Sequence, residues 1–215
     1  NKIETLPQGL WKLPEVYEIT LDTNKIGGPY FDDAEIRLEN LHFLRMANNS
    51  ISKLPPSLNG ENVPSLTFLD VPGNSISVLP EDVGSFQYLT ELLISRNKLN
   101  DSSIPKSMKE LKHLNLLDLR NNSISKLPCW FTDIDSLMDA VKGNIFVSGN
   151  PICRNAWVSS NGCNAVLGKK LRQEGSGCSK QCSDYCHKID EDFSSGACSH
   201  RCNSANCGFS HGHCK

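Results

Sequence analysis

The apolar positions of the chain recur with a fixed spacing. "LNLLDLRNNSI" places Leu114, Leu117 and Leu119 ahead of Asn122 and Ile124. "VYEITLDTNKI" repeats it with Val16, Ile19, Leu21, Asn24 and Ile26, and "LHFLRMANNSI" with Leu41, Leu44, Met46, Asn49 and Ile51. "LTFLDVPGNSI" supplies Leu66, Leu69, Val71, Asn74 and Ile76, and "LTELLISRNKL" supplies Leu89, Leu92, Ile94, Asn97 and Leu99. A worn last copy, "NIFVSGNPI", keeps Ile145, Val147, Asn150 and Ile152. One phrase, NNSISKLP, is written twice, at 48–55 and 121–128. Self-similarity of this kind predicts stacked units rather than one irregular core. Apolar residues two apart lie on one side of a strand, so each unit is expected to carry a short strand whose pair faces the core. The asparagine that follows can satisfy backbone groups of neighbouring turns. Leu54-Pro55, Leu79-Pro80, Ile104-Pro105 and Leu127-Pro128 then start a return segment at a residue that needs no donor.

The pattern LxxLxLxxNxL resembles the leucine-rich repeat family over residues 1–152. The resemblance implies an α/β solenoid with parallel strands on a concave face and short helical or extended turns on a convex one. Asn24, Asn49, Asn74, Asn97, Asn122 and Asn150 are then the structural ladder. "NKIETLP" at 1–7 parallels "NSISKLP", so Asn1 stands at a ladder position. We expect the front of that repeat and a cap to precede it, the alternative being a start on a degenerate cap.

Residues flanking each core pair should point outward. One column reads Glu18, Phe43, Phe68, Glu91, Leu116, and the next Thr20, Arg45, Asp70, Leu93, Asp118, Phe146. Phe43, Phe68, Leu93, Leu116 and Phe146 would form an apolar stripe edged by Arg45, Asp70, Glu91 and Asp118. Exposed aromatics beside charge suit a protein partner, whereas scattered surface apolars need no function.

The ten cysteines change the picture. All lie between Cys129 and Cys214, and none forms a CxxC knuckle, which points to disulfides and an oxidising compartment rather than zinc. Three sequons, at Asn48, Asn100 and Asn121, fit a secreted or cell-surface glycoprotein. "GNPIC" resembles the start of the disulfide caps of extracellular leucine-rich repeat proteins, giving a cap at 153–167 and a polar linker at 168–181. Residues 182–215 resemble a Lin-12/Notch repeat, carried by C-x3-C-N-x3-C-x6-C, Asn203, Phe209, Gly196 and Gly212. That resemblance implies Cys182–Cys207, Cys186–Cys202 and Cys198–Cys214, although Cys178 could open the module instead. For the rest, whose pairing spacing does not fix, we expect Cys129–Cys153 and Cys163–Cys178. The family's calcium-binding carboxylates are replaced by Ser195, Ser199, Ser210 and His213, leaving Asn203, so the calcium site is expected to be lost. Asp190, Glu191 and Asp192 are out of register, and His200, His211 and His213 read as surface loop histidines; no cofactor or metal is expected.

The net charge of −2 offers no nucleic-acid footprint, and no run of about 18 apolar residues could span a membrane. HExxH, GxSxG, P-loop and GxGxxG patterns are absent, so no enzyme is expected. Two functions remain: a recognition module using the concave stripe, such as a receptor ectodomain or secreted binder, or a structural subunit of an extracellular filament or appendage. A membrane span beyond Lys215 would favour the first, and further repeated modules the second.

Overall fold

The computed structural model describes residues 1–139 and 141–152. Six three-residue strands form one parallel sheet in chain order: β1 Glu18–Thr20, β2 Phe43–Arg45, β3 Phe68–Asp70, β4 Glu91–Leu93, β5 Leu116–Asp118 and β6 Asn144–Phe146. Each strand pairs with the next in register, so Ile19, Leu44, Leu69, Leu92, Leu117 and Ile145 make a single inward column. From Leu44 to Leu117 that column is fully buried. Such a sheet can stay short because each strand needs only its two neighbours and the core beneath.

The return segments are mostly 3-10 turns: η1 Gln8–Lys12, η2 Val83–Ser85, η3 Lys106–Glu110 and η4 Cys129–Asp133. Pro7, Pro105 and Pro128 stand immediately ahead of η1, η3 and η4 in extended conformation. Proline's fixed φ and missing N–H suit that entry, where the first amides have no helical partner anyway. Two single turns are α-helical, α1 Pro29–Asp32 and α2 Asp135–Met138. The last repeat is longer than the others, and α2 with the turn to Gly143 absorbs the extra residues while β6 stays in register with β5.

The ladder asparagines join the turns. In each, Oδ1 accepts the amide of the apolar residue one turn back: Ile26 N–H donates to Asn49 at 3.0 Å, Ile76 to Asn97 at 2.9 Å and Ile124 to Asn150 at 3.0 Å. Nδ2 of Asn49 donates back to Leu21 O at 3.0 Å, and that of Asn122 to Ile94 O at 3.1 Å. The same amide also closes its own turn, as in Asn122 to Leu119 O at 3.0 Å. Backbone polar groups that the short strands leave unpaired are thereby satisfied inside the solenoid.

The residue just before each ladder asparagine adopts positive φ: Thr23, Asn48, Gly73, Arg96, Asn121 and Gly149. Glycine and asparagine tolerate this region best and take four of the six places. The cap, the linker, the Lin-12/Notch-like module with its calcium question, and the partner of every expected disulfide fall beyond residue 152, outside the described residues. Cys129 itself is disulfide-bonded.

Candidate interaction face

The outward residues of the strands align as two columns. Glu18, Phe43, Phe68, Glu91 and Leu116 follow one another across the sheet, and so do Thr20, Arg45, Asp70, Leu93, Asp118 and Phe146. Phe43, Phe68, Leu93, Leu116 and Phe146 are half-buried, as are Arg45, Asp70 and Glu91.

At the β1–β3 end the aromatics touch. Phe43 and Phe68 have ring centroids 5.9 Å apart, and Arg45 lies 5.0 Å from the Phe68 centroid and 5.9 Å from that of Phe43. Its guanidinium also donates to Glu18 Oε1 at 2.8 Å. A cation over aromatic faces is held by their quadrupoles. At the other end Arg120 lies 5.4 Å from the Phe146 centroid and donates to both oxygens of Asp118, at 2.9 and 2.7 Å. This paired geometry raises the Arg120 pKa against the opposing effect of burial.

Asp118 corrects an expectation. It is 4% exposed, so it does not edge the stripe as a free charge. Arg120, two residues on, folds back over it and presents a guanidinium to solvent in its place. Between the two ends, Asp70 is pushed up to about 6, first by burial and then by repulsion from Asp22, Asp118 and Glu91, with Arg45 acting in the opposite sense.

Several outward residues were missed in the sequence. Tyr17 and His42 stack with centroids 4.4 Å apart, and Tyr17 reaches Phe43 at 5.5 Å. They stand one residue before β1 and β2, and the repeat has outward positions there and after the strand that the two flanking columns ignore. An aromatic at 17 and a histidine at 42, one repeat apart, were the available signal.

The sequon asparagines Asn48, Asn100 and Asn121 are exposed. Asn48 and Asn121 sit at the left-handed position, their side-chain Oδ1 laid against Gly73 and Gly149, where a Cβ would approach to 2.4 and 2.1 Å. Asn100 Oδ1 accepts from the amide and hydroxyl of Ser102 at 3.0 and 2.8 Å. Among the described residues no group of three or more His, Cys, Asp or Glu could hold a metal. None of their helices is long and apolar enough to cross a membrane.

Residues 40–60 and 113–134 match the family described as Leucine Rich Repeat, and these are the two turns that carry NNSISKLP. The solenoid is built of leucine-rich repeats. The chain is 31% identical over 131 residues to keratocan of Bos taurus, covering 60% of this chain and 36% of keratocan. It is 34% identical over 143 residues to the calmodulin-binding receptor kinase CaMRLK of Arabidopsis thaliana, covering 56% of this chain and 21% of that protein. The chain thus spans roughly a third or less of the length of these curated relatives. An internalin structure from Listeria monocytogenes has a TM-score of 0.52 at 20% identity, covering 63% of this chain and 37% of that one, and shares the fold.

Proposed function

We propose that the chain is an extracellular recognition module that binds a protein partner on the concave face of its repeats. One observation carries this reading: Phe43 and Phe68 stand in register on β2 and β3, and Leu93 and Leu116 follow on the same outer face of β4 and β5, in alternate columns, half-exposed and interleaved with Arg45, Asp70 and Glu91. Aromatic anchors surrounded by polar residues are a usual energetic centre of an interface, and the leucines add apolar area beside them. Phe146 extends the contact at the far end. Arg45, Asp70 and Glu91 give it polarity, and Asp118 acts by holding Arg120.

The extracellular setting rests on the ten cysteines and the three sequons, and on similarity to a receptor kinase. Glycans on Asn48 and Asn121 would rise beside the ladder, at the edge of the face, and leave its centre open. On the same reading, 153–167 would be a disulfide cap, 168–181 a linker and 182–215 a Lin-12/Notch-like module whose calcium site is lost.

The test uses the full chain, made through a secretory pathway, against a panel of secreted and cell-surface proteins. Leu93→Arg and Tyr88→Glu are compared with wild type; Tyr88 is 61% exposed and lies off the strands. Binding should fall about tenfold or more with Leu93→Arg and be unchanged with Tyr88→Glu. The reverse outcome would sink the reading. Growth of the chain into defined oligomers with concentration would move the assignment to a structural subunit.

A further inference from the structure

The concave face is unevenly charged. At each end an arginine lies on phenylalanine and is tied to a carboxylate: Arg45 with Glu18 over Phe43 and Phe68, and Arg120 with Asp118 over Phe146. These ends are already compensated. Between them Asp70 on β3 and Glu91 on β4 form no ion pair among the described residues. They stand beside two half-buried leucines, for Asp70 pairs in register with Leu93 and Glu91 with Leu116. Neighbouring strands lie about 4.8 Å apart, so both acids and both leucines fall within the reach of one long side chain.

The charges facing Asp70 are Asp22, Glu91 and Asp118 on one side of the balance and Arg45 on the other. Arg45 is engaged by Glu18, and it does not offset burial and then the three carboxylates, which together push the Asp70 carboxyl up to about 6. A neutral partner surface pressed onto this spot would bury two carboxylates without compensation, which is strongly unfavourable. An acidic one would add repulsion. A cation on an alkyl stem meets both requirements, with its methylenes on the leucines and its charge at the acids.

We propose that the centre of the concave face, formed by Asp70, Glu91, Leu93 and Leu116, receives a lysine or arginine side chain of a protein partner. This rests on the concave-face reading and specifies its chemistry.

The probes are N-acetyl-arginine amide, N-acetyl-lysine amide and, as the uncharged isostere, N-acetyl-norleucine amide. Each is titrated into the full chain while the side-chain carboxyl carbons are followed by NMR. The cationic amides should shift the Asp70 and Glu91 signals and lower the Asp70 titration midpoint, and norleucine amide should not. The double variant Asp70→Asn, Glu91→Gln, whose positions are half-exposed and outside the core, should weaken the cationic amides about tenfold or more. An equal response to norleucine amide, no response to any amide, or shifts centred on Glu18 and Asp22 would overturn the proposal. The same double variant is then compared with Leu93→Arg on any partner found in the panel. Loss with Leu93→Arg alone would leave the concave-face reading standing and remove the cation. Loss with neither would remove both.

Discussion

The phrase NNSISKLP is folded twice, and the two copies show what eight residues determine and what their neighbours determine. Their backbones agree: Asn48 and Asn121 have φ of 53° and 54°. Ile51 and Ile124 are fully buried, and Leu54 and Leu127 are each 5% exposed. The surroundings differ. Asn122 is 8% exposed, whereas Asn49 is only half-buried. In the second copy Asp101 of the preceding turn accepts from the Ser125 amide and hydroxyl at 2.6 and 2.5 Å and from the Lys126 amide at 3.1 Å. In the first copy, the matching Ser52 reaches Asp32 through one bond of 3.2 Å, and Asp32 Oδ1 is left buried without a partner. Local sequence sets the turn; the adjoining repeat sets how firmly it is held.

The largest expected difference is in the ladder. Asn122→Ala strips a buried acceptor from Leu99 N–H and donors from Ile94 O and Leu119 O, and should cost about 3 kcal/mol in urea unfolding. Asn49→Ala should cost less, about 2 kcal/mol, because water reaches its stranded partners. Equal losses would mean that burial does not separate the copies.

The glycines beside the two sequons come next. Alanine at Gly149 or Gly73 would place a Cβ against Asn121 or Asn48 at a positive φ, and each should lose about 1–2 kcal/mol by thermal or urea unfolding. Both copies should respond alike, since their left-handed turns are the same.

The smallest effect separates the two acids. Asp101→Asn should lose about 1 kcal/mol and Asp32→Asn close to none. Burial raises the Asp101 pKa, but bonds from the Ser125 hydroxyl, then the Ser125 and Lys126 amides, and the Lys126 charge outweigh it and hold the value below normal. A depressed folded pKa contributes stability above the ordinary carboxylate range and loses it as pH falls through the lowered value. The gap between wild type and Asp101→Asn should therefore close in acid. A gap constant with pH would remove the carboxylate from the account.

Much of the fold was legible because its signal is periodic. Two apolar residues two apart, then asparagine, located every strand from Glu18 to Phe146, and the Leu-Pro or Ile-Pro steps located the return segments. The kind of turn was not legible, since Pro105 and Pro128 lead into 3-10 turns but Pro55 does not. In the site, alternation placed Phe43, Phe68 and Leu93 on the outer columns. It failed at Asp118, whose burial depends on Arg120 folding back across two residues of chain. It also missed the Tyr17–His42 stack, whose two residues stand one repeat apart just ahead of β1 and β2, outside the two flanking columns.

The most direct test of the central claim is hydroxyl-radical footprinting of the full chain with and without a partner from the binding panel. The account predicts that oxidation of Phe43, Phe68, Leu93 and Leu116 falls in the complex while Tyr88 and Tyr30 are unchanged. Protection of Tyr88 and Tyr30, with the concave residues still oxidised, would contradict it.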